Sequence, residues 1–71
     1  MIEITVEIAR AGQRREMVLE LQEGTLVRAA VRAAGCAPEG CAVLVDGVSV
    51  PRDLPLRAAT RLTIVPTFSG G

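Results

Sequence analysis

Ile2, Ile4, Val6 and Ile8 alternate strictly with Glu3, Thr5 and Glu7, so the chain opens with one apolar and one polar side. A period of two is the signature of an extended strand with one face in a core and the other in water. Residues 10–14 supply a glycine-containing turn. A second alternating run over 15–22 then sets Met17, Leu19 and Leu21 against Glu16, Val18, Glu20 and Gln22. Together the two runs predict an N-terminal β-hairpin.

After Glu23-Gly24 the period lengthens. Leu26, Val27, Ala30, Val31 and Ala34 fall on one stripe, with Arg28 and Arg32 opposite, which predicts a helix over 26–34. Thr25 is placed to cap it through its hydroxyl, and Gly35 suits the residue just past its end. The small alanines let such a helix lie close against a sheet. Beyond a loop, Ala42-Val43-Leu44-Val45 reads as a short apolar strand. Asp46-Gly47 is a strong two-residue hairpin signal, and Val48-Ser49-Val50 reads as the returning strand. Pro51 and Pro55 bound an irregular stretch in which Leu54 and Leu56 are positioned to plug one end of the core. Residues 61–65 form the last strand, and Pro66 marks where ladder donation stops.

The resulting order, β-β-α-β-β-β, predicts an α+β fold with one helix packed on one face of a mixed sheet. The first and last strands are expected to lie adjacent and parallel at its centre. Residues 1–66 form the domain in this reading, and residues 67–71 form a flexible tail.

At 71 residues the chain makes one domain, and a chain this short buries only about 60% of the surface its unfolded form exposes. A hydrophobic content of 49%, mostly aliphatic, supports a real core, although Phe68 is its only aromatic residue. Eight arginines balance eight acidic residues, so no net field steers the chain toward nucleic acid or an anionic membrane. Base-stacking platforms are lacking as well. Nothing at the N-terminus resembles a signal peptide, and no apolar stretch approaches bilayer length, so a cytoplasmic protein is expected. The absence of lysine leaves no ε-amine to accept an isopeptide bond.

The chain closes on Phe68-Ser69-Gly70-Gly71. Core packing does not explain two terminal glycines, which bury no side chain and lose more freedom on ordering than any other residue. They suit a thin, extensible arm that carries a carboxylate into a pocket too narrow for a Cβ. Cys36 and Cys41, with four residues between them, lack a histidine and cannot complete a zinc site in one chain. They read as small apolar residues of a loop, or as a disulfide that persists poorly in a reducing compartment.

Three features taken together resemble the ubiquitin-like β-grasp sulfur carriers of the MoaD/ThiS family, including the archaeal small modifier proteins. These are the β-grasp order, the Asp46-Gly47 turn before the fourth strand, and a last strand running into Gly70-Gly71. The segment 64–71, with Pro66 ahead of Ser69-Gly70-Gly71, is similar to the MoaD tail. The segment 43–51 is closer to the archaeal modifiers. The resemblance covers essentially the whole chain. It implies that an E1-like enzyme adenylates the carboxylate of Gly71 with ATP, and that the product becomes a thiocarboxylate for sulfur transfer in molybdopterin or related biosynthesis. Alternatively, the activated terminus passes to lysines of target proteins. A third reading, from a different class, is a non-covalent β-grasp interaction module.

On the sulfur-carrier reading the chain is a substrate: it supplies no catalytic residue and no metal ligand, and the ATP belongs to the activating enzyme. A sulfur-accepting synthase subunit is the further partner, and the free chain is expected to be a monomer. Family docking uses an apolar patch on the sheet near the tail. Val65 and Leu44 fall there, with Val18 as an extension, unless they are simply core. Phe68 and Ser69 belong to the same surface, Phe68 either anchoring in a partner groove or folding back over the sheet edge. Arg52, Arg57 and Arg61 are either solvated or set to meet an acidic enzyme surface. Glu16, Glu20 and Glu23 read as solubility residues of a strand face.

Overall fold

The alternation at the N-terminus becomes strand β1 (Ile2–Arg10), and the second alternating run becomes β2 (Gln13–Leu21). The computed structural model describes residues 1–57 and 61–67. Both strands run further toward their connection than the sequence suggests, which shrinks the turn to Ala11 and Gly12. These two residues have positive φ, +49° and +78°. Paired left-handed residues give the hairpin turn whose twist matches that of the flanking strands. Asp46 and Gly47 repeat the device at +50° and +84° between β3 (Cys41–Val45) and β4 (Val48–Ser49).

Helix α1 (Val27–Ala33) is shorter than its apolar stripe. Thr25 does not cap it: its hydroxyl donates to the Gln22 carbonyl at 2.6 Å, and no side chain caps the helix. The chain instead satisfies the helix start with backbone. The N–H groups of Val27 and Arg28 donate to the carbonyls of Leu54 and Arg52 at 2.9 and 2.8 Å. The proline-bounded stretch is thus the cap, because its turn at Arg52-Asp53 brings the carbonyls of Arg52 and Leu54 to the helix start. At the other end Gly35, at φ +89°, donates to Arg32 at 2.9 Å, and Cys36 donates to Val31 at 3.1 Å. That reciprocal pair is a Schellman motif, as the glycine suggested. A single 3₁₀ turn, Pro38–Gly40, then leads into β3.

The five strands form one mixed sheet in the order β2-β1-β5-β3-β4, where β5 is Arg61–Pro66. β1 and β5 pair in parallel at its centre, Val6 opposite Leu62 and Ile8 opposite Ile64; the other pairs are antiparallel. Ile4, Val6, Ile8, Val43, Leu62 and Ile64 form the buried face of the sheet, under Val27, Ala30 and Val31 of the helix. Leu56 is buried with them, and Leu54 packs against the same cluster. This is the β-grasp architecture: one amphipathic helix clasped by a twisted mixed sheet.

Candidate functional site

Strand β5 ends the described part of the sheet and leads toward the tail. Because side chains alternate across a sheet, Leu62 and Ile64 enter the core while Thr63 and Val65 point away from the helix. The register sets Ala42 opposite Val65 and Leu44 opposite Thr63, so Leu44 and Val65 are diagonal neighbours on the outer face. Both are half-buried, and neither belongs to the core cluster. The reading of these two as core residues is therefore excluded. The apolar pair exists, Leu44 on β3 beside Val65 on β5, the strand that precedes the tail.

Val18 does not join them. It lies on β2 opposite Thr5, and Thr5 in turn faces Arg61. Strand β1, whose outer face carries Glu3, Thr5 and Glu7, separates it from β5 and Val65. At 57% exposure it is an isolated apolar residue on a charged half-face. Alternation alone assigned it the correct face but not its place in the strand order.

Charge fills the space between. Glu7 stands directly opposite Glu16, an arrangement that repels when unrelieved. Arg61 resolves it, bonding Glu16 at 2.5 Å and Glu7 at 3.4 Å, while Arg14 approaches Glu7 from the other side at 3.4 Å. The hydrogen bond to Glu16, then the charges of Glu16 and Glu7, make Arg61 hold its proton more tightly than usual. The Glu7 side chain is only 13% exposed beneath these arginines. Arg61 is thus neither simply solvated nor a free contact for an acidic enzyme, and Glu16 is part of a bonded network. Arg52 is engaged too, its Nε donating to the Pro38 carbonyl at 2.7 Å.

At the end of the sheet where β5 finishes, Thr67 is tied down. Its N–H donates to the Gly40 carbonyl at 2.9 Å, and its hydroxyl reaches the same oxygen at 3.4 Å. Beside this anchor is a cleft of about 770 Å³, whose wall includes Ala9, Ala11, Cys36, Cys41, Val65 and Pro66. Its lining comes from the β1–β2 turn, the α1–β3 connection and the end of β5, which the parallel β1–β5 pairing brings to one edge. The two cysteines are free thiols in that wall. Burial pushes the Cys41 thiol up, and the neighbouring Cys36 thiol adds to the effect. Phe68, Ser69, Gly70 and Gly71 lie outside the described residues.

Sequence reasoning missed Gly40, Arg61 and Glu7 as shapers of this region. Gly40 acts only through its carbonyl, which leaves no trace in side-chain type. Glu7 and Arg61 meet across a parallel pairing that joins opposite ends of the described chain. No helix among the described residues is long and apolar enough to cross a membrane. No group of three or more His, Cys, Asp or Glu among those residues is arranged to hold a metal ion.

In comparison with known proteins, the model of the ThiS family matches residues 4–71, from the first strand through Gly70-Gly71. No curated protein matches the chain.

Proposed function

The chain belongs to the ThiS family, whose members are small carriers rather than catalysts, and we propose that it is a ubiquitin-like sulfur carrier activated at Gly71. In this reading an E1-like enzyme joins the Gly71 carboxylate to the α-phosphate of ATP and releases pyrophosphate. Sulfide from a donor then displaces AMP, leaving a thiocarboxylate. A sulfur-accepting synthase subunit, of molybdopterin or a related product, takes the sulfur. Gly70 and Gly71 give the carboxylate a backbone slim enough to be held in line with the phosphate, the positioning on which such a step depends.

One observation carries the reading: the family match runs unbroken from strand β1 to the terminal glycine pair. The geometry agrees with it. A rigid central strand delivers the chain to an anchored Thr67, beside the outward pair Leu44 and Val65. Those two residues, with Phe68 and Ser69, form the proposed docking surface for the activating enzyme.

The test is reconstitution. The full chain is incubated with an E1-like enzyme, magnesium-ATP and a sulfur donor, and its intact mass is followed. Replacement of one terminal oxygen by sulfur is expected, and deletion of Gly71 should abolish both that shift and carrier-dependent ATP consumption. If the deletion leaves ATP consumption and enzyme binding unchanged, the chain is a non-covalent module and the proposal fails. Di-glycine remnants on lysines of other proteins, with no oxygen-to-sulfur exchange, would identify a modifier instead.

A further inference from the structure

The Schellman motif fixes Cys36 at the end of α1, its N–H bonded to Val31, and its side chain packs against the core. Cys41 opens β3 opposite Pro66, on the same side of its strand as Val43, and packs against the core as well. The 3₁₀ turn Pro38–Gly40 returns the chain between them, and both side chains reach the wall of one cleft. Both pack against the same core cluster at the two ends of this turn, and the Cys36 thiol helps push the Cys41 thiol up. Within this short loop is Gly40, whose carbonyl holds Thr67.

We propose that Cys36 and Cys41 form a reversible thiol–disulfide site at the root of the tail. Exchange with a low-molecular-weight disulfide closes the pair and stiffens the loop that anchors Thr67. The steps balance without a further oxidant. The Cys36 thiolate attacks one sulfur of the small disulfide, releasing one small thiol and leaving a mixed disulfide on Cys36. Cys41 then loses its proton and attacks the Cys36 sulfur, expelling the second small thiol. The protein is oxidised by two electrons, and the small disulfide is reduced by two.

Burial, which holds the Cys41 thiol up, suits it to the second, intramolecular attack, where proximity replaces intrinsic reactivity. The charges of Arg10 and Arg52 act in the opposite sense and support thiolate formation there. Closing so short a loop removes little entropy from the unfolded chain. The bond is therefore weakly stabilising, which is the behaviour of a switch and not of a structural staple.

The experiment uses the full chain alone, so its result does not depend on the sulfur-carrier reading. The reduced protein is equilibrated with oxidised glutathione, quenched in acid, alkylated and weighed intact. The wild type should become lighter by two hydrogens, carrying neither glutathione nor an alkyl group. Cys36→Ser and Cys41→Ser should each stop at a mixed disulfide with glutathione. Amide exchange at Thr67 should slow by about tenfold or more in the oxidised wild type, with the β1–β2 amides unchanged. Wild type that carries two glutathiones, or two alkyl groups after equilibration, would overturn the site. A closed disulfide with Thr67 exchange unaltered would overturn its link to the tail.

Discussion

Leu62 and Ile64 are fully buried beneath α1, whereas Thr63 and Val65, each one residue further along β5, face away from the helix and stay partly open. The two pairs share a strand, a backbone ladder and nearly the same composition. What separates them is the parity of their position. The inner pair is committed to holding the fold, since each side chain completes the core beneath α1. The outer pair contributes little to that core and leaves its apolar surface for something else to cover. Further across the outer face the same sheet changes character again, from the aliphatic Leu44 and Val65 to the network of Arg14, Glu7, Glu16 and Arg61.

The sharpest way to break this contrast is on the inner face. Ile64→Ala should cost about 2–4 kcal/mol of stability, because the cavity it leaves is enclosed by the neighbouring strands β1 and β3 and by the rest of the core. In a domain this small that removes most of the margin against unfolding, which a urea titration would reveal as a large drop in midpoint. If the midpoint barely moves, the core assignment of β5 is wrong.

Charge placed on the aliphatic residues of the outer face, Leu44 and Val65, should act in the opposite way. Leu44→Glu and Val65→Glu are each expected to lower kcat/KM for activation by the E1-like enzyme about tenfold or more, the loss typical of a central contact residue. Their urea midpoints should shift by less than about 1 kcal/mol equivalent. A variant that unfolds but activates normally at low temperature would reverse the roles assigned to the two faces.

Smaller still is Arg61→Ala, which leaves Glu7 and Glu16 opposed with only Arg14 nearby. A small loss of stability is expected, reduced in high salt because Arg61 and Glu16 are about half open to solvent. Loss that does not respond to salt would point to packing by the arginine stem instead. Val18→Thr should be the quietest change, within about 0.5 kcal/mol in stability and without effect on activation. A measurable activation defect there would extend the docking surface across the charged half-face.

Much of the inner face was legible from the sequence, and the reason is local. Ile2 to Ile8, and Met17 to Leu21, declare their strands by alternation, and Gly35 and Asp46-Gly47 declare their turns by backbone geometry that few residues tolerate. The positions of Leu44 and Val65 followed from the family resemblance together with the same alternation. What stayed hidden depends on partners distant in sequence. Thr25 looked like a cap because its neighbours did not reveal that residues 52 and 54 would arrive with backbone carbonyls. Val18 looked like part of a patch because strand order is not written in any one strand. Arg61 looked solvated because its partners belong to the hairpin at the other end of the chain. The roles of Phe68, Ser69, Gly70 and Gly71 rest on the sequence and its family.

The parallel contact between β1 and β5 sets a timetable for the molecule's birth. Thr5 meets Arg61 across nearly the whole chain, so β1 gains its central neighbour only after the segments between them exist. Such distant pairings form late and slowly. Leu44 and Val65 are brought side by side by the same closing event. An enzyme that recognises them would therefore meet only chains in which β5 has joined the sheet.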